Sequence, residues 1–179
     1  MNIAVLEAQL AELPLYTYNF IDPTTLEFSP RIRWICENEC PMYGKTWACP
    51  PGVGSVDACR DKCLGYNRCL LVGTITETED LGNMEATLAT RPEHEALTNQ
   101  IRDLFRGQNT EPYILSTEAC AVCRRCTVLD GQPCRHPDRM HPCLESHGIN
   151  IIPTLEQLGL EFQYGGNIIT WYSLLFYNE

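Results

Sequence analysis

The sequence predicts an α+β domain, a mixed sheet with helices on one face and two cysteine-rich metal-binding loops at one end. Three observations carry that expectation. Apolar segments follow one another as strand, long helix, strand, cysteine loop, strand, helix, strand, and helices packed on a sheet would bury such strands. The last segment, Ile168 to Tyr177, is apolar on both alternating faces, as a central strand is. Most of the eleven cysteines fall in two groups, at 36–49 and 120–134, and the first is also rich in Pro and Gly.

Length and composition set the bounds. A chain of 179 residues fits a single cysteine-rich domain over 1–179, with 1–30 a lead-in segment packing on it. Hydrophobic residues make up 44%, enough for a core that does not need metal merely to offset small size. The net charge of −10 argues against a nucleic-acid partner, whose footprint would be basic. No apolar run approaches the roughly 18 residues of a membrane span. Met1 to Leu10 lacks a basic start and includes Glu7, so it does not read as a signal peptide. The expectation is a cytoplasmic protein, and many cysteines there point to metal or redox chemistry. An odd count also leaves one thiol unpaired in any full disulfide scheme.

Met1 to Leu13 predicts a short amphipathic helix ending before Pro14. Residues 36–54 read as loop, because Pro follows Cys40 and Cys49 while Gly44, Gly52 and Gly54 permit turns. Ser55 can cap a helix to about Tyr66, with Asp57 in its first turn. Cys69 opens the buried strand Leu70–Ile75. Thr90-x-Pro92-Glu93 predicts a capping box, and Leu97, Ile101, Leu104 and Phe105 recur at helical spacing as far as Gly107. His94 is expected on the outer, solvated part of this helix. Tyr113–Leu115 reads as a short strand, Pro142–Gly148 as one helical turn, Gly148–Ile152 as a strand, and Pro153 as the start of a helix to about Leu158.

The chemistry lies in the thiols. Cys120, Cys123 and Cys126 stand at two-residue gaps, and Cys134 follows after seven more residues. Such gaps let a tight turn aim successive sulfurs at one centre, as a single metal or an iron–sulfur cube requires. Three closely spaced thiolates suit one cluster better than one zinc, whose ligands usually come as two separated pairs. The run is similar to the opening of a bacterial ferredoxin site, although there the fourth Cys comes three residues on and precedes Pro. A second set is Cys36, Cys40 and Cys49, completed by Cys59 or left open. Cys59 and Cys63 share one helix face, and the alternative for both is a small side chain turned to the core. Cys69 reads as core.

These motifs resemble the family of predicted metal-binding proteins known as domain of unknown function 2284. The matching residues are Cys36-x3-Cys40-Pro-x-Tyr43-Gly44, Trp47-x-Cys49-Pro50-Pro51, and the run from Cys120 through Cys134-Arg135-His136-Pro137. Gly148-Ile149 and the aromatic C-terminal strand match as well, so the resemblance spans about 31 to 177. It implies a metal or iron–sulfur protein of anaerobic bacteria and archaea, and no particular reaction. Cys143 departs from it, standing where similar sequences place a Ser, and is left out of the ligand sets.

The leading expectation is an iron–sulfur protein with one or two [4Fe–4S] clusters, serving electron transfer or redox support of an anaerobic enzyme system through a protein redox partner. Its ligands would be Cys120, Cys123, Cys126 and Cys134, and Cys36, Cys40, Cys49 and Cys59. Arg124, Arg125 and Arg135 could offset the added charge of a reduced cluster, or form a solvated rim. The alternative is a zinc-binding structural or adaptor protein, in which His136 or His141 could replace a thiolate. Cys123-x-x-Cys126 has dithiol spacing without the strand-to-helix setting of a redox enzyme. No phosphate-binding Gly loop, Ser/His/Asp arrangement or His-Glu-x-x-His is present, so no enzyme class is assigned.

Overall fold

The computed structural model describes residues 1–179. Four strands form the main sheet: β1 (Thr17–Ile21), β3 (Arg68–Glu77), β4 (Tyr113–Leu115) and β6 (Ile168–Tyr177), in the order β1-β3-β6-β4. A two-stranded ribbon pairs β2 (Glu27–Phe28) with β5 (Ile149–Asn150). The helices are α1 (Ile3–Leu10), α2 (Pro30–Asn38), α3 (Val56–Leu64), α4 (Met84–Ala89), α5 (Arg91–Gly107) and α6 (Ile152–Gln157). The α+β class therefore stands.

Two particulars differ from expectation. The sheet is antiparallel throughout rather than mixed. The helices α4 and α5 join β3 to β4, which run in the same direction, but β6 inserts between them and pairs antiparallel with both. Helices also cover both faces rather than one. Because side chains alternate along a strand, Leu70, Val72 and Leu175 pack against Leu6 and Leu10 of α1 and Ile101 and Phe105 of α5. Cys69, Leu71, Leu174 and Phe176 pack on the other side against Cys63 of α3, Leu155 of α6, Leu144 and Ile149. A sheet buried on both faces needs strands apolar at successive positions, and β6 is buried from Trp171 to Tyr177.

The lead-in segment is more structured than expected. It contains β1, paired with β3 from Thr17↔Gly73 to Ile21↔Cys69. The first cysteine group is not all loop either. Ser29 accepts from Arg31 N and Pro30 occupies the first turn, a start signal for α2, which carries Cys36. Ser55 caps α3 as expected, accepting from Ala58 N at 3.2 Å. The Thr90 capping box does not form. Thr90 is already helical because α4 runs into α5, and its hydroxyl donates to Thr87 O and accepts from Trp171 Nε1. His94, expected outside, is 1% exposed. It faces β3 and β6, bonded to Thr74 and Ser173.

Candidate metal centre

The longer cysteine loop is fastened at both ends. It leaves the sheet just after β4 at Ser116, whose N donates to Pro142 O at 2.8 Å, and Ser116 forms an isolated parallel bridge with Cys143. The Ser116 hydroxyl, fully buried, donates to Glu95 and touches Ser173. Between these anchors the only regular structure is a short 3-10 turn, Thr127–Asp130, ended by Gly131 at φ 63°. Within the loop, Thr127 Oγ1 donates to Pro133 O, Arg135 donates to Arg125 O, and Arg125 pairs with Asp130.

This path brings Cys120, Cys123, Cys126 and Cys134 around one cavity of about 10 Å³. Trp47, Val122, Met140 and His136 close it. Burial raises the Cys120 thiol pKa, opposed by a hydrogen bond from the Val122 backbone. Cys123 also lines an open surface depression with Arg124, Arg125, Leu129, Arg135 and His136.

The second cavity, of about 260 Å³, is lined by Cys36, Cys40 and Cys49 together with Cys143. Cys36 lies in the last turn of α2, and Cys40 follows where its N donates to Ile35 O at 3.1 Å. Cys49 arrives through the turn in which Gly44 N donates to Pro50 O. Glu118 takes a left-handed conformation, φ 56°, so that Glu118 and Ala119 line this cavity while Cys120 lines the other. Thr46 Oγ1 donates to Cys49 Sγ at 3.0 Å, and Ser146 N donates to Cys143 Sγ at 3.3 Å. A hydrogen bond from Cys143 lowers the Cys36 pKa, while the same bond and burial push Cys143 well above the ordinary thiol value. Cys49 is raised by burial, against the Thr46 hydroxyl, and it lies near enough to Cys120 to feel its charge.

The structure does not bring Cys59 to this group. Its Sγ donates to Val53 O at 3.3 Å and accepts from the buried Arg33 guanidinium at 3.5 Å. It lines a separate cavity of about 370 Å³ with Trp47, Lys62, Tyr113 and His147. Cys63 and Cys69 are fully buried in the core, and burial raises Cys63 to about 12. His136 lies beside the first thiol group, whereas His141 is buried against Asn99 Oδ1 and held neutral, lowered to about 4 by burial. Cys143, left out of the ligand sets on sequence grounds, lines the cavity of Cys36, Cys40 and Cys49, and its distance along the chain from them leaves no spacing signal.

No three Cys, His, Asp or Glu side chains stand at the mutual spacing that one metal ion requires. No helix is long and apolar enough to cross a membrane. A family model described as a predicted metal-binding protein (DUF2284) matches residues 19–177, a stretch that contains every cysteine named above. Neither the curated proteins nor the solved structures include a match.

Proposed function

We propose, from the premise that the chain belongs to the DUF2284 family of predicted metal-binding proteins, that it holds [4Fe–4S] clusters in its two thiol cavities and passes electrons. The observation that carries the reading is the convergence of Cys120, Cys123, Cys126 and Cys134 on one cavity. A cubane puts each thiolate on a different iron, so its ligands stand further apart than those of one ion. A cluster so ligated would accept and release one electron at a time.

The residues around the thiols suit that task. Arg124, Arg125 and Arg135 place positive charge beside Cys123, Cys126 and Cys134, which favours the more negative reduced state. Trp47, Val122 and Met140 exclude water, which tunes the same balance. Cys123 is the thiol that reaches the open depression beside Leu129, which is 49% exposed. A protein redox partner docking there would approach the first group at the ligand that lines the depression. The net charge of −10 argues against a basic nucleic-acid footprint and is compatible with this local arginine cluster.

A second reading, structural zinc, draws on the same thiols: four thiolates at about 2.3 Å in a tetrahedron complete a structural zinc site, and each of the two cavities is lined by four cysteines. Anaerobic purification separates the two. Brown protein containing iron and acid-labile sulfide supports clusters, and colourless protein with stoichiometric zinc supports the adaptor.

A further inference from the structure

We propose that Cys143 completes a second four-thiolate site with Cys36, Cys40 and Cys49, and that this site takes a [4Fe–4S] cluster with no iron left open. The inference rests on the cluster reading above and supplies the ligand that neither spacing nor motif reveals.

Four observations converge on it. All four sulfur-bearing side chains line one cavity, whose remaining wall is mainly apolar: Ile32, Ile35, Tyr43, Pro50 and Ala119. At about 260 Å³ the cavity has room for a group far larger than a single water or ion. Cys143 reaches this cavity from a segment remote in sequence from the other three, placed there by its bridge to Ser116. Hydrogen-bond donors are aimed at two of the sulfurs, Thr46 Oγ1 at Cys49 and Ser146 N at Cys143. Donors of this kind stabilise the negative charge on ligating sulfur.

Cys143 is also held rigidly. Pro142 O accepts from Ser116 N, Cys143 bridges to Ser116, and the Ser146 hydroxyl donates to Cys143 O at 2.6 Å. A ligand fixed by its own backbone needs little ordering when a cluster binds. Cys59 has the opposite character. Its thiol hydrogen is given to Val53 O, and its sulfur lines a different cavity.

The consequence is architectural as well as chemical. Residues 36–49 and Cys143 would be tied together across the fold, beside the first thiol group through Glu118, Ala119 and Cys120. The two sites differ in charge. Glu118 and Glu145 flank the second, whereas arginines flank the first. Nearby negative charge opposes addition of an electron, so a cluster at the second site would have the lower reduction potential.

The test is iron and sulfide content together with the electron-paramagnetic-resonance spectrum of the reduced full chain, prepared anaerobically as wild type, Cys143→Ser, Cys36→Ser and Cys59→Ser. Wild type lacking iron and sulfide would defeat the cluster reading itself, and this proposal with it. With clusters present, Cys143→Ser and Cys36→Ser are expected to lose the same spectral component and about half the iron of two like clusters, whereas Cys59→Ser keeps both. The signal of the Cys120 site serves as the internal check on folding. Full iron and an unchanged spectrum in Cys143→Ser, with loss in Cys36→Ser or Cys59→Ser, would overturn the proposal. If Cys143→Ser does not fold, Cys143→Asp retains an anionic ligand. An altered signal from the Cys36 site then supports ligation, and an unaltered one overturns it.

Discussion

His94 Nε2 lies 2.7 Å from Ser173 Oγ, in the fully enclosed space between α5 and β6. The direction of this bond follows from the chain it belongs to. Ser116 gives its proton to Glu95, so Ser116 Oγ accepts from Ser173, and Ser173 in turn accepts from His94 Nε2–H. The other ring nitrogen, Nδ1, then accepts from Thr74 Oγ1 at 2.9 Å. The imidazole is thus satisfied while neutral. The same network holds Ser116, where the longer cysteine loop begins.

A neutral, enclosed imidazole makes stability depend on pH. Burial, with a smaller contribution from the Arg91 charge, lowers the His94 pKa from 6.5 to about 3. Below pH 6.5 the unfolded chain takes up a proton that the folded chain refuses. This contribution is fully present above 6.5 and falls with pH by up to about 1.4 kcal/mol per unit until about pH 3. His94→Gln is expected to be less stable at neutral pH, with a shallower decline between pH 6 and 4. Urea unfolding of both proteins across that range measures the slopes. Parallel slopes would show that His94 already titrates normally in the folded protein.

Core and ligand cysteines should separate by stability against iron content. Cys63 is fully buried among Leu26, Leu71 and Leu155, and no hydrogen-bond partner meets its sulfur. Cys63→Ser places a hydroxyl there, at a cost of about 1–3 kcal/mol if it stays unpaired. Iron per chain should be unchanged. A variant that melts like wild type but has lost iron would move Cys63 from the core into a ligand set.

The central elements were legible because their residues repeat a pattern. Both faces of β6 are apolar, α3 starts at a Ser, and α5 carries an apolar stripe, so each can be read locally. What escaped depends on pairing across distance. β1 is half-buried along its length, with no clean alternation, and becomes a strand by pairing with β3. The sheet's direction and its second covered face depend on where β6 inserts, which no local window contains. His94 was misplaced because a polar residue on a helix normally faces water, whereas here Thr74 and Ser173 meet it from two strands. At the site, the group at 120–134 could be gathered from spacing alone. Cys143 is brought to Cys36 only by the fold, through the Ser116 bridge and the turn at Ser146.

Metal should also organise the loops. Residues 39–55 contain turns without helix or strand, and between Ser116 and Cys143 there is only one short 3-10 turn. One bond visibly joins the two regions, Trp47 Nε1 donating to Gln132 O at 3.0 Å, and such a bond contributes only about 0.5–1.5 kcal/mol net. Ligation of four thiolates contributes far more, as metal binding does in other small sites where it supplies folding energy. Lys45, Arg124, Arg125, Arg135 and Arg139 are exposed and lie within these stretches, so each is a potential tryptic site. Metal-loaded protein is expected to resist trypsin at all five. After the metal is stripped with a chelator, cleavage should begin there while β3 and β6 remain intact, since their central residues are buried on both faces. Mass spectrometry of the early fragments identifies the cuts. Identical digestion of the loaded and stripped forms would mean that protein contacts alone hold the loops, with no ordering by the thiol sites.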